Sequence, residues 1–219
     1  MLNFDHAFIV TYGRSGSTLL QGVLNTIPGA EIRGENGNAL FVLFQAARHL
    51  RITSPHGKKA NDPTHPWYGA HLIDHEMFEA ELVAAFKGNV MAGSEHNLLR
   101  GFKEIRYQTM TRDQLWDYLA FLRQYFPRTA FIMNTRNLDE VIASNARAKH
   151  MIGEAELRHA DQNFRDYAAE FPDHAYHTHY DDFTADPLVL RGLFDFLGAR
   201  MDEDAVAKVM GRTHSMRTR

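Results

Sequence analysis

The chain contains no cysteine. A disulfide framework, a thiol nucleophile and a thiolate metal site are therefore excluded, and the absence fits a reducing compartment. No apolar run approaches 18 residues, so no membrane span is expected. The opening Met1-Leu2-Asn3-Phe4-Asp5-His6 lacks the basic stretch of a signal peptide and runs directly into an apolar segment, which reads as a cytoplasmic protein. Neither sign of charge dominates: 24 Lys and Arg face 27 Asp and Glu, for a net charge of −3. That balance supplies no global field to attract nucleic acid, and leaves room for a local basic pocket.

What is present fits a globular protein. The 219 residues are 44% hydrophobic and 23% charged, enough chain to bury roughly 70% of its unfolded surface in one core. A single domain over 1–219 is expected, with a mobile insert around 52–73. Apolar runs at 7–12, 30–33, 101–107, 129–135 and 175–180 read as strands. Helical spacing follows at 17–25, 38–50, 74–86, 111–126, 138–149, 154–171, 187–198 and 202–210. Thr53 to Gly69, rich in Pro, Gly, His and Lys, reads as a long loop. Strands alternating with helices predict a three-layer α/β/α fold around a central, mainly parallel sheet.

Chemistry concentrates in two stretches. In the first, Ala7 to Tyr12 leads into Gly13-Arg14-Ser15-Gly16-Ser17-Thr18 and then a helix. A glycine turn between strand and helix points backbone N–H groups and the positive helix end at one place, where an anion can sit. Arg14, Ser15, Ser17 and Thr18 add side-chain donors. The ATP/GTP loop G-x-x-x-x-G-K-[ST] does not match, because Ser17 occupies the Lys position and Thr11 that of the first Gly. In the second stretch, the strand Thr129–Thr135 ends in Arg136, where a Walker-type NTPase would carry a Mg²⁺-binding Asp. Ser144 lies about two helical turns further on.

Together these stretches resemble the PAPS-dependent sulfotransferases, which transfer a sulfuryl group from 3′-phosphoadenylyl sulfate (PAPS). Thr11 to Leu20 resembles the family's 5′-phosphosulfate loop, and Arg136 with Ser144 its 3′-phosphate pair. Tyr180-Asp181-Asp182-Phe183, Asp186-Pro187 and Phe196-Leu197-Gly198 resemble its late Y-E-D-L…D-P…F-L-G segment. The resemblance implies a P-loop-like sulfotransferase fold, with PAPS as co-substrate, PAP as product and no metal required. It also implies an acceptor hydroxyl on a small molecule, carbohydrate or lipid, with residues 36–100 on the acceptor side. Gly34-Glu35 is similar to the G-E element of the tyrosylprotein and some bacterial members, whose Glu is the catalytic base. Phe102-Lys103-Glu104 stands where cytosolic members carry Lys-Thr-His, and Lys103 resembles the Lys that approaches the bridging oxygen.

On that resemblance Arg14, Ser15, Gly16, Ser17 and Thr18 hold the phosphosulfate, with Arg14 also counted among the catalytic residues. Arg136 and Ser144 hold the 3′-phosphate, Lys103 neutralises the leaving oxygen, and Glu35 takes the acceptor's proton from a buried position. The cytosolic group's C-terminal R-K-G-x-x-G-D-W-K element is absent, and Arg212, His214, Ser215, Arg217 and Arg219 are candidate substitutes. None of the 13 histidines falls in an H-E-x-x-H pattern. His65, His71 and His75 around Trp67-Tyr68, and the pair His177 and His179, read as structural or solvent-exposed. The alternatives are a P-loop kinase, disfavoured by Ser17 and Arg136, and a non-catalytic nucleotide-binding module, disfavoured by Glu35 and Lys103.

Overall fold

Every residue of the first and fourth strands is buried, so both faces of the sheet's centre are covered. The computed structural model describes residues 1–93, 96–147 and 152–211. In order the elements are β1 (His6–Val10), α1 (Ser17–Leu24), β2 (Ala30–Arg33), α2 (Ala39–Thr53), α3 (His75–Val90), β3 (Leu99–Glu104) and α4 (Arg112–Tyr125). Then follow β4 (Thr129–Thr135), α5 (Leu138–Arg147), α6 (Glu154–Glu170), β5 (Ala175–His179), α7 (Tyr180–Ala185), α8 (Arg191–Leu197) and α9 (Glu203–Met210). The candidate residues Arg212, His214, Ser215, Arg217 and Arg219 lie outside the described residues.

The five strands form one parallel sheet in the order β2-β3-β1-β4-β5. Alternate residues of β1 serve opposite layers. Ala7 and Ile9 join Leu20, Val23 and Leu24 of α1, Leu193 and Leu197 of α8 and Val206 of α9 in one core. Phe8 points the other way, its ring 4.7 Å from Phe102, 5.3 Å from Phe126 and 6.2 Å from Phe131. Phe131 in turn meets Tyr167 of α6 at 5.8 Å. Helices thus cover both faces, as the alternation of strands and helices predicts.

The order places the site. From β1 the chain goes out to the edge strand β2 and returns inward to β3, then crosses to β4 and β5 on the other side. The reversal beside β1 is the place where open α/β sheets bind ligands, outside the carboxyl ends of the strands.

The chain divides into two units, Met1–Gly37 with Ser94–Arg219, and Asn38–Gly93. Within the second unit, α2 and α3 are joined by Arg51 Nη2 to Glu79 Oε2 at 3.1 Å, and Asp74 caps α3 by accepting from the Met77 amide at 2.9 Å. The stretch from Thr53 to Gly69 is less irregular than its composition suggests. Ser54–Lys59 is a 3₁₀ helix with Pro55 at its start, where a fixed φ favours helix entry, and the His56 ring stacks on Trp67 at 5.0 Å.

Among the boundaries that differ from expectation are the ends of two strands. Strand β3 stops at Glu104 rather than Tyr107, because Arg106 bridges back to Tyr12 and Tyr107 opens a 3₁₀ turn. Strand β5 stops at His179, because Tyr180 begins α7, whose first turn carries Asp181 and Asp182 where the helix dipole favours them. The helix expected from Thr111 begins as the sequence indicates, with Thr111 and Gln114 forming a reciprocal capping box.

Candidate functional site

The loop after β1 is shaped by two residues in the left-handed region, Arg14 at φ 68° and Gly16 at φ 76°. A Cβ on Gly16 would lie 1.9 Å from the Tyr180 ring, so the position requires glycine both for its torsion and for its neighbour. No side chain caps α1 at Gly16. The first-turn amides therefore remain turned toward the loop, as in other helix-start anion sites.

Buried polar contacts fasten the loop to β4. Thr11 Oγ1 donates to the Asn134 carbonyl at 2.7 Å and lies 2.7 Å from Ser15 Oγ. Asn134 Nδ2 donates to the Ser15 carbonyl at 3.0 Å. Ser15 is fully buried, so its hydroxyl serves this fastening, and Ser15 offers a ligand its backbone alone. Ser17 is buried at the start of α1 while Thr18 is exposed.

The two stretches singled out in the sequence meet. Arg14 Nε donates to Ser144 Oγ at 2.8 Å, and Arg136 Nη1 donates to the Arg14 carbonyl at 3.1 Å. Arg136 also lies over the Tyr180 ring, 4.7 Å from its centroid. Its carboxylate neighbours Glu140 and Asp181 stand off at 3.7 and 3.9 Å, and its buried Nε makes no hydrogen bond. Tyr12, whose ionisation is pushed upward by burial and by Asp161, accepts from the Arg136 amide at 3.0 Å and donates to Asp161 Oδ1 at 2.7 Å. Asp181 accepts from the Asn137 amide at 2.7 Å, which fixes the entry to α5.

Glu35 and Lys103 form a second constellation at the end of β3. Lys103 Nζ donates to Glu35 Oε1 at 2.5 Å. The lysine side chain is 5% exposed and the glutamate 39%. The expectation that Glu35 is buried is thus corrected: the carboxylate sits at the surface and reaches in to the ammonium. Because Lys103 pairs with Ile9 across the ladder, it lies on the α1 face of the sheet.

Sequence reasoning gave several residues no part in the site. Tyr180 beneath Gly16 and Arg136, Asp161 behind Tyr12, and Glu104 against the Asn36 amide all act across long sequence separations. Thr135 Oγ1 likewise gathers His177 Nε2 at 2.8 Å and His179 Nδ1 at 2.9 Å. A hydroxyl has one hydrogen, so it donates to one ring and accepts from the other. Among the described residues no group of three or more His, Asp or Glu side chains converges as a metal site, and no helix is long and apolar enough to cross a membrane.

A mostly parallel sheet covered by helices on both faces, with a glycine turn after its central strand and an arginine at the end of the adjoining one, is a three-layer α/β/α fold of P-loop-like form. Residues 7–203 match the sulfotransferase family, and the chain belongs to that family; it is a sulfotransferase. Its fold is similar to the sulfotransferase domain of the Synechococcus PCC 7002 olefin synthase, at 22% identity and a TM-score of 0.58, with 94% of this chain and 77% of that one covered. The sulfotransferase domain from the curacin biosynthetic pathway is similar at 18% identity and a TM-score of 0.58, with 91% and 75% covered. No curated protein matches the chain significantly.

Proposed function

We propose that the enzyme transfers a sulfuryl group from PAPS to an acceptor hydroxyl on a small molecule, carbohydrate or lipid. The observation that carries this reading is the meeting of Arg14, Ser144 and Arg136 through hydrogen bonds of 2.8 and 3.1 Å. Two anion-binding turns from separate strands then serve one ligand with two anionic ends. Unsatisfied groups support the fit. Arg136 Nε has no hydrogen bond, and Asn145, beside Ser144 and 3% exposed, leaves both amide heteroatoms without a partner. Buried polar atoms left unpaired are costly, and a polar ligand would offset that cost.

In this reading the loop amides, Arg14, Ser17 and Thr18 hold the phosphosulfate, while Arg136 and Ser144 hold the 3′-phosphate. Glu35 accepts the proton of the acceptor hydroxyl as the acceptor oxygen bonds to sulfur. The bond from sulfur to the 5′-phosphate oxygen breaks, and Lys103 neutralises the charge that develops on that oxygen. The ion pair between Glu35 and Lys103 has to open for both roles. A carboxylate that gains a proton releases its ammonium partner, so the two events favour each other.

The test is a thermal melt in EDTA with adenosine 3′,5′-bisphosphate and, separately, ATP. Saturation with the bisphosphate at about 100 times Kd is expected to add roughly 2.7 kcal/mol, or about 5–10 °C at this chain length. No shift with the bisphosphate, together with a shift by ATP only when Mg²⁺ is added, would overturn the donor assignment in favour of a kinase. A screen of acceptor classes with labelled donor then identifies the hydroxyl.

A further inference from the structure

Glu104 is a carboxylate 1% exposed at the end of β3, in a position the sulfuryl transfer outlined above does not use. Burying such a group is expensive unless something nearby requires it. Its ladder partner is Val10, which places it on the face of the sheet opposite Lys103. Burial pushes the neighbouring Tyr107 and Tyr118 hydroxyls up, and the negative charge of Glu104 adds to this; the carboxylate thus lies beside two buried tyrosines. Its Oε1 accepts the backbone N–H of Asn36 at 2.5 Å.

Two consecutive residues of β3 thus hold two consecutive residues of the segment after β2. Lys103 takes the Glu35 carboxylate on the α1 face, and Glu104 takes the Asn36 amide on the other. The segment crosses the strand end pinned from both sides. A side chain on an exposed turn has many orientations, whereas one whose following peptide is fixed has few, and misplacement by about 1 Å can cost roughly 100-fold in rate.

We propose that Glu104 is a positioning residue that fixes the peptide between Glu35 and Asn36 and thereby aims the Glu35 carboxylate at Lys103 and the acceptor hydroxyl. The proposal rests on Glu35 being the base, and its test is arranged so that the two can fail separately. Hydrogen exchange over residues 34–37, the bisphosphate-induced melting shift, and turnover on the acceptor returned by the screen are measured for Glu104→Ala, Glu104→Gln, Glu35→Gln and the Glu35→Gln/Glu104→Ala pair.

In Glu104→Ala, amide protection over 34–37 is expected to fall about tenfold and kcat about 10- to 100-fold, with bisphosphate affinity and acceptor KM within about twofold. Glu104→Gln keeps an acceptor oxygen, so it should lie between Ala and the parent; it also serves as the readable variant if Ala does not fold. In the Glu35→Gln background, Glu104→Ala should cost nothing further in kcat, because its effect runs through Glu35. Turnover retained by Glu35→Gln would sink the base assignment. Turnover lost in Glu35→Gln but unchanged in Glu104→Ala or Glu104→Gln, additive losses in the double variant, or unchanged exchange over 34–37 would each overturn the positioning role.

Discussion

The two constellations at the carboxyl ends of the strands treat charge in opposite ways. Around β1 and β4, the Arg14 guanidinium is held by a neutral hydroxyl, and Arg136 bonds a carbonyl while its carboxylate neighbours stay beyond 3.5 Å. At the end of β3, the Lys103 ammonium is closed directly onto a carboxylate at 2.5 Å. Arg14 is held by a neutral partner, and the carboxylates near Arg136, at 3.7 and 3.9 Å, offset its charge less than direct contact would, so more of the first region's positive field remains. An ion pair cancels its own field and holds two groups that can be separated by moving one proton. The first arrangement suits holding a ligand, the second suits reacting with it.

The sharpest way to break this contrast is to disable each region separately. Lys103→Met is expected to lower turnover by about 10²–10⁴-fold while leaving the bisphosphate melting shift in place. Gly16→Ala should do the reverse at the level of binding, since its Cβ would overlap the Tyr180 ring and its φ is strained for a side chain; the shift should disappear. Loss of the bisphosphate shift in Lys103→Met would merge the two regions into one and remove the distinction.

Within the first region, Arg136→Ala sharpens the assignment of the two anionic ends. A hydrogen bond to a charged group is worth about 1.5–3 kcal/mol, so bisphosphate affinity should fall roughly 10- to 150-fold by isothermal titration. Adenosine 5′-phosphate, lacking the 3′-phosphate, should lose about threefold or less. Equal losses would take the 3′-phosphate away from Arg136.

How much of this could be read beforehand follows the same division. The loop from Thr11 to Thr18 and the Arg136–Ser144 spacing are local, and local order carries strand, turn and helix signals together; the residues assigned there do come together. Glu35 and Lys103 were legible only through resemblance, and the exposure of Glu35 was not legible at all, because burial depends on what packs against an element. The site contacts of Tyr180, Asp161 and Glu104 were not foreseen, for one physical reason. Each acts on a residue 44 or more positions away in the chain, Tyr180 against Gly16 and Arg136, Asp161 against Tyr12, Glu104 against Asn36, and nothing in periodicity or spacing marks such a pairing. A carboxylate or tyrosine placed within a strand-end segment is the one sequence signal that could have raised the question.

A smaller effect separates the regions by pH. On the β4 side, burial, with the Arg165 guanidinium adding to it, pushes His177 down to about 4; Asp161 and Asp182 oppose this, and His179 reinforces it. The unfolded chain binds a proton to this ring below about 6.5, while the folded protein does not bind it until about 4. Between those values the unfolded state holds more protons, so stability is fully present above pH 6.5 and is lost as pH falls toward 4. The loss should be on the order of 1–2 kcal/mol after allowing for the ring's partial exposure. His177→Gln keeps a polar atom near Thr135 Oγ1 and cannot take up the proton. Urea melts at pH 7.0, 5.5 and 4.5 should show a flatter decline in this variant than in the parent, and identical slopes would mean that the ring carries no such linkage. The Glu35–Lys103 end lies across β4 and β1 from His177, so His177→Gln should leave turnover at pH 7 unchanged, which tests the independence of the two regions from the opposite side of the sheet.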